Sequence, residues 1–165
     1  MMMQKTIPLF LLSLSLYGGS FSAGNMGLGL TVGSGSVSYT VRGTESYFIA
    51  GVSVDYFIID GLALGLGYRG WFGGSPTIHQ VSVPLTYYMP TGKKFRPYLG
   101  AFYRYTDYSD TAYESYNSGG VRVGAAMMFR GGYAGFGWVQ EYYLDAEYQG
   151  ESISGYPEMV VGFSF

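Results

Sequence analysis

Six charged side chains lie within otherwise apolar, alternating stretches of the chain, where an unpaired charge would be costly. They are Asp55, Arg69, Arg104, Arg122, Glu141 and Glu158. Three acids and three arginines could neutralise and hydrogen-bond one another in a semi-buried space. Such a set could form a charged pathway for a small solute, or it could be a packed, structural network.

His79 is the only histidine, so any catalytic mechanism that needs a histidine must use it. With Ser82 and a nearby carboxylate it could form a hydrolytic triad. However, the two residues are separated by an odd number of positions, so on a strand they point to opposite faces. The sequence therefore predicts no catalytic residues and a protein that is not an enzyme.

Residues 65–70 match the dinucleotide-binding pattern G-x-G-x-x-G. Such a site needs a strand before the glycines and a helix after them. Here the glycines lie inside an alternating segment, so we expect them to leave room for aromatic rings within the fold. The chain has no Cys and therefore no thiolate metal site. The sequence predicts neither a cofactor nor a metal ion.

The composition favours a β-structure embedded in a membrane. Charged residues make up 12% of the chain and aromatic residues 19%, and there are 27 glycines. Soluble domains carry roughly 25% charged residues. No apolar run reaches the length of about 18 residues that indicates a membrane-spanning helix. With a net charge of −2 the chain lacks a basic surface, so nucleic acid is not an expected partner.

Eight segments alternate between apolar and small or polar side chains, with the period of two that marks a β-strand. They span residues 26–32 (with a possible extension to 37), 47–58, 62–72, 78–89, 95–105, 120–129, 133–144 and 157–165. The short turns between segments are near Asp60, Gly92 and Gly131. The longer, polar links are around Gly43, Ser75, Tyr116 and Glu151. This alternation of link lengths indicates an antiparallel barrel whose first strand pairs with its eighth.

All formal charges inside the segments share one face. Arg96 joins the six named above on the glycine-rich face, and the opposite face carries no formal charge. An Arg or Lys that faces lipid at mid-depth costs about 2 to 4 kcal/mol, so a membrane barrel must sort its charges in this way. Three positions fit poorly: Gln140 falls on the apolar face, His79 falls on that face near a loop end, and Pro84 removes a ladder donor within its segment. The sequence predicts an all-β, eight-stranded antiparallel up-and-down transmembrane β-barrel with its charges inside.

The chain ends on Phe165, with apolar residues at every second position before it. Phe163 and Phe165 in this spacing resemble the C-terminal signature of bacterial outer-membrane β-barrels. From Met26 onward the chain is similar to the broad family of small outer-membrane barrels that includes the outer membrane protein X and opacity-protein types. The resemblance implies a location in the bacterial outer membrane. It also implies that the barrel-assembly machinery reads Phe163 and Phe165 during biogenesis.

Residues 1–23 have the features of a cleavable signal peptide. Lys5 supplies a positive charge, residues 7–17 form an apolar core, and small residues predominate in the cleavage region at 20–23. The apolar run is too short for a membrane anchor, and Gly18 and Gly19 interrupt it. We expect a signal peptide at residues 1–23 and an outer-membrane β-barrel domain at residues 24–165.

The predicted outer loops are acidic. They hold Glu45, Asp107, Asp110, Glu114, Asp145, Glu147 and Glu151 against Arg42. Their carboxylate oxygens could bind Ca²⁺ or Mg²⁺, and these cations could bridge to lipopolysaccharide phosphates. Alternatively, the loops could form a solvated acidic surface. No spacing resembles an EF-hand.

Eight strands leave an interior just wide enough for side chains to fill, which favours a largely plugged lumen. We therefore expect a structural or surface-interaction role through the external loops, with outer-membrane lipid and lipopolysaccharide as partners. A narrow channel for small solutes is the alternative. The sequence does not indicate which external ligand the loops would take.

Overall fold

The computed structural model is a closed β-barrel of eight antiparallel strands, which confirms the predicted fold class. It describes residues 21–39, 43–92, 94–109, 114–144 and 153–164. The strands are β1 (Met26–Tyr39), β2 (Gly43–Ile59), β3 (Leu62–Phe72), β4 (Ile78–Tyr88), β5 (Phe95–Tyr108), β6 (Tyr116–Phe129), β7 (Gly132–Tyr143) and β8 (Ile153–Ser164). Each strand pairs with the next along the chain, and β8 pairs with β1. No helix in the described ranges is long and apolar enough to cross a bilayer.

The strands run further towards one end of the barrel than the alternation predicts. The bounds of β3 match the prediction, but β2 begins at Gly43 and β6 at Tyr116, both of which are predicted as links. Only residues 40–42 separate β1 from β2, so the longer link predicted around Gly43 is wrong. Apolar alternation is required only where a strand faces lipid, so a strand that continues into water loses the pattern that marks it.

Two turns of two residues, 60–61 and 130–131, and the six-residue link 89–94 join strands at one end of the barrel. We call this the short-turn end; the opposite end is the loop end. Gly61, Gly92 and Gly131 lie in these turns with φ of +81°, +68° and +85°. Glycine adopts positive φ without the steric cost that a Cβ would impose, which explains the residue type at each turn. The turn at Gly61 also bonds to β4, since its carbonyl accepts from the amide of Tyr88 at 2.7 Å.

The outer surface of the barrel carries an apolar belt. Leu66, Val123 and Phe136 are 60%, 55% and 63% exposed. A contiguous apolar surface of this extent is rare on a soluble protein. Exposed aromatic side chains flank the belt at both ends: Tyr56, Tyr87 and Phe129 at the short-turn end, and Phe48, Phe72, Tyr105 and Tyr142 at the loop end. These are the lipid-facing band and aromatic girdles of a membrane barrel. Phe165 lies outside the described residues.

Two groups of buried side chains occupy the ends of the lumen. The short-turn cluster consists of Phe21, Phe57, Ala63, Tyr88, Tyr98, Ala126 and Tyr133. The loop-end cluster consists of Tyr47 and Ile78, with Trp71 and Tyr108 packed against them. The charged side chains of the inner face other than Arg96 lie between the two clusters.

Glycines make room for aromatic rings inside the barrel, though not where the sequence predicts it. A Cβ on Gly124 or Gly137 would meet the ring of Tyr98, and one on Gly120 would meet the ring of Phe102. The expectation that residues 65–70 serve this purpose is wrong for Gly65 and Gly67. These two glycines border Asp55, Pro84 and serine side chains. Which strand receives a ring depends on the register between strands, and the sequence of one strand does not reveal it.

The barrel closes at a short seam between β1 and β8. Within the described ranges, four residue pairs are in register there, from Gly27↔Ser164 to Leu30↔Val161. Fourteen pairs join β1 to β2 over the same strand. Among the described strands this β1–β8 seam is the shortest line of pairing in the barrel.

Candidate functional site

Arg104 on β5 and Glu141 on β7 meet inside the lumen. Nη1 of Arg104 donates to Oε2 of Glu141 at 2.6 Å, and the side chains are only 8% and 5% exposed. The hydroxyl of Tyr156 accepts from Arg104 Nη1 at 2.8 Å and donates to Glu141 Oε2 at 3.0 Å. Ser118 donates to the other carboxylate oxygen at 2.5 Å. Both oxygens of this buried carboxylate therefore have partners, as a buried charge requires.

Arg122 on β6 and Glu158 on β8 form a second ion pair. Nε and Nη2 of Arg122 each lie 2.9 Å from Oε1 of Glu158. The hydroxyl of Tyr98 donates to the same oxygen at 3.0 Å. The guanidinium of Arg122 also lies 5.4 Å from the centroid of the Tyr98 ring, within range of a cation–π contact. Tyr98 thus links the ion pair to the short-turn cluster.

Asp55 on β2 and Arg69 on β3 are the remaining two of the six predicted charges. Both line an internal cavity of about 80 Å³, which Arg104, Arg122 and Glu158 also line. A polar cavity of this size has room for a small number of water molecules. Neither Asp55 nor Arg69 forms an ion pair with another residue of the described ranges. Within the described ranges the six charges thus form two ion pairs and two further charges on the cavity wall, of which Arg69 hydrogen-bonds to Tyr156.

Arg96 lies apart from this network, at the short-turn end. Its guanidinium carbon is 5.0 Å from the centroid of the Phe21 ring. Its Nε atom is buried and has no hydrogen-bond partner within the part of the chain that the structure describes. Among the described residues Arg96 therefore contacts an aromatic ring, and no acid there forms an ion pair with it.

The structure does not bring the candidate catalytic residues together. Nδ1 of His79 lies 2.7 Å from the hydroxyl of Tyr68 on the outer face, whereas Ser82 lines the internal cavity. The wall of the barrel separates the two side chains. Residues 65–70 lie wholly within β3, and the chain continues into a loop and β4, so no helix follows the glycines. No group of three or more His or acidic side chains within the described ranges could hold a metal ion.

Most of the predicted acidic loop residues lie outside the described part of the chain. Of the described ones, Asp107 accepts a hydrogen bond from Ser115 at 2.7 Å, and Glu114 is exposed. The side chain of Glu45 is not described, and Arg42, Asp110, Asp145, Glu147 and Glu151 fall in the gaps. At the C-terminus, Phe163 is 38% exposed on the outer face, and Phe165 lies beyond the described residues.

Sequence reasoning missed three side chains of the interior. Tyr156 and Ser118 have the same strand parity as Glu158 and Arg122, so the alternation could have placed them on the inner face. Both were overlooked because the predicted segments began too late. Phe21 offered no such signal, because it lies within the predicted signal peptide.

No protein-family model and no curated protein matches this sequence. Solved structures with the same architecture do match. The N-terminal β-barrel domain of OprF from Pseudomonas aeruginosa is similar with a TM-score of 0.67 and 16% identity, over 87% of this chain and 98% of that chain. Neisserial surface protein A (NspA) is similar with a TM-score of 0.56 and 15% identity, over 85% of this chain and 94% of that chain.

The fold is that of the small, eight-stranded outer-membrane β-barrels. The closed barrel, the apolar belt and the likeness to these solved barrels support the predicted location in a bacterial outer membrane.

Proposed function

We propose that this protein is an outer-membrane barrel with a largely plugged lumen, and that it acts as a structural or surface-interaction protein through its external loops. The observation that carries the proposal is the filling of the lumen along its length. The short-turn cluster occupies one end, the loop-end cluster the other, and two buried ion pairs lie between them. Because close-packed side chains leave little room for a hydrated solute, a continuous aqueous path is not expected.

The length of the strands supports a role at the cell surface. β2 contains 17 residues and, at roughly 3.3 Å per residue, spans roughly 55 Å along the strand. A tilt of about 40° leaves roughly 40 Å along the barrel axis, compared with an apolar band of about 25 Å. The barrel wall therefore extends beyond the lipid at the loop end, where it would present the loops as a rigid platform. On this proposal the short turns face the periplasm.

Lipopolysaccharide is the proposed partner of this platform, with divalent cations bridging acidic side chains to its phosphates. Asp107 and Glu114 are the described acids at the loop end. The variant Asp107→Asn/Glu114→Gln should bind lipopolysaccharide micelles more weakly than the unmodified barrel in the presence of Mg²⁺. Lys94→Gln, in the turn between β4 and β5, is the control because it lies at the opposite end. Equal binding by all three proteins would count against the proposal.

A narrow channel for small solutes is the second candidate, and the cavity lined by Asp55, Arg69 and Arg122 favours it. Single-channel recording in planar bilayers distinguishes the plugged barrel from the narrow channel. The plugged barrel should show no discrete conductance steps, and neither should Tyr88→Ala/Tyr133→Ala, because the two ion pairs and the loop-end cluster still fill the rest of the lumen. Discrete steps from the unmodified protein would establish the channel and overturn the plugged lumen.

A further inference from the structure

Residues 21–25 form a hook that folds back into the mouth of the barrel at the short-turn end. The amide of Asn25 donates to the carbonyl of Ser22 at 3.2 Å, and Gly24 has φ of +85°. This hydrogen bond, together with a positive φ at the third position, is characteristic of a type II turn, where glycine is favoured. The turn reverses the chain immediately before β1, so that Phe21 enters the lumen.

Four hydrogen bonds fasten the hook to the end of β2 and the turn that follows it, and one of them runs from the amide of Phe57 to the carbonyl of Asn25 at 3.0 Å. The carbonyl of Phe21 accepts from the amide of Gly61 at 2.8 Å, and the amide of Gly24 donates to the carbonyl of Phe57 at 2.8 Å. The amide of Ala23 donates to Oδ1 of Asp60 at 2.8 Å. The backbone of the hook is therefore integrated into the barrel.

The ring of Phe21 fills the centre of the short-turn cluster. It is 2% exposed, and its centroid lies 4.3 Å from that of Tyr88, 5.1 Å from that of Tyr133 and 5.4 Å from that of Phe57. Arg96 approaches the ring to 5.0 Å. Aromatic pairs at these separations attract one another in addition to burying apolar area. Without Phe21 the mouth would lose the side chain that its neighbours surround.

We propose that Phe21 is the first residue of the mature protein and closes the short-turn mouth, which assigns signal-peptide cleavage to the Ser20–Phe21 bond. A signal peptidase would hydrolyse this peptide bond, with water supplying the hydroxyl of the new Ser20 carboxyl group and the hydrogen of the new Phe21 amine. Signal peptidase sites carry small residues one and three positions before the cut. Ser20 and Gly18 meet this requirement.

The competing bonds are less compatible with the hook. Cleavage after Ala23 would put the large Phe21 three positions before the cut, would divide the turn and would remove the ring. Cleavage after Ser22 would have small residues at both positions but would also remove Phe21. The packing of Phe21 thus distinguishes between bonds that the sequence alone leaves open. This assignment concerns processing and closure of the mouth, and it does not depend on what the external loops bind.

The first test is the mass of the mature protein. The full chain should be expressed with its own N-terminus in a Gram-negative host, extracted from the outer membrane, and examined by intact mass and N-terminal sequencing. We expect the chain to begin at Phe21. A chain that begins at Ala23 or Gly24 would overturn the proposal, because the ring would be absent from the mature barrel.

The second test measures whether the ring closes the mouth. Phe21→Ala should lower the temperature at which the unboiled barrel converts to its heat-denatured gel mobility by several degrees. Phe95→Ala is the matched control, since Phe95 begins β5 near the same end but is 60% exposed on the outer face. Its transition should stay near that of the unmodified protein. An unchanged transition for Phe21→Ala would contradict the proposed closure.

A third variant covers the case in which Phe21→Ala fails to assemble. Phe21→Leu keeps an apolar side chain but loses the contacts with Tyr88 and Tyr133 and the cation–π contact with Arg96. We expect it to assemble and to convert at an intermediate temperature. A Phe21→Leu barrel as heat-resistant as the unmodified protein would also overturn the role of the ring.

Discussion

Arg104 and Glu141 join at 2.6 Å although their strands, β5 and β7, are not neighbours. Arg122 and Glu158 make the equivalent connection between β6 and β8. Each ion pair passes over one intervening strand. Together the two pairs connect four consecutive strands through their inner faces, in addition to the backbone hydrogen bonds of the sheet.

Glu141→Ala should destabilise the barrel by about 3 to 5 kcal/mol, because it leaves the buried guanidinium of Arg104 without its acid. The free energy of unfolding can be measured by urea titration of the barrel in detergent or lipid. The control is Arg104→Met/Glu141→Leu, which removes both charges and should recover most of the loss. A single variant that costs less than about 1 kcal/mol would show that the pair is hydrated and contributes as weakly as a surface pair.

Gly124→Ala should destabilise the barrel by about 1 to 3 kcal/mol, the usual cost of overpacking. A Cβ there would meet both the ring of Tyr98 and the backbone of β7, and the backbone cannot move aside. Gly119→Ala is the matched control in the same strand, since its nearest neighbour would be at an ordinary 3.6 Å. If the two alanine variants unfold at the same urea concentration, Tyr98 does not require the glycine beneath it.

Leu66→Arg should destabilise the folded barrel by about 2 to 4 kcal/mol, because Leu66 lies near the middle of β3 with 60% of its surface exposed on the apolar belt. Ile59→Arg carries the same substitution to the end of β2, where the arginine can reach the interface and the cost should fall to about 0 to 1 kcal/mol. The free energies of unfolding of the two variants can be compared by reversible denaturation in lipid vesicles. Equal costs at the two depths would contradict the assignment of the belt to lipid.

Deletion of Phe165 should lower the amount of barrel in the outer membrane, if the C-terminal residues are read by the assembly machinery as the resemblance implies. Immunoblots of the outer-membrane fraction measure this amount. Refolding of the same purified variant into detergent should remain efficient, since no assembly machinery takes part. Equal losses in cells and in detergent would instead indicate that Phe165 contributes to the stability of the barrel.

The alternation of side chains predicts the strands well wherever lipid is on one side. The bounds of β3 were predicted correctly, and Arg104, Arg122, Glu141 and Glu158 lie on the inner face that their parity indicates. The prediction fails at Gly43 and Tyr116, because a strand that projects into water is under no pressure to alternate. On such a segment both faces contact water, so the sequence need not alternate and the strand cannot be predicted from alternation.

The partners of the inner side chains could not be predicted in the same way. Arg104 could have faced Asp55, Glu141 or Glu158, and the choice depends on how far each strand is shifted against the next. That shift is set jointly by all the connections between consecutive strands and by the β1–β8 seam. Phe21 could not be predicted for a different reason: it lies within the predicted signal peptide, yet its ring packs inside the barrel.

The β1–β8 seam has a mechanical consequence. A cylinder opens into a sheet when one line of hydrogen bonds breaks, and four residue pairs are the fewest that any two adjacent strands share among the residues that the structure describes. Under a force that pulls the wall apart, rupture should therefore begin between Leu30 and Val161 and travel towards the end where Gly27 faces Ser164. The first and last strands then become the free edges of an uncurled sheet. The seam that holds the cylinder closed is thus also the line along which the first and last strands would part.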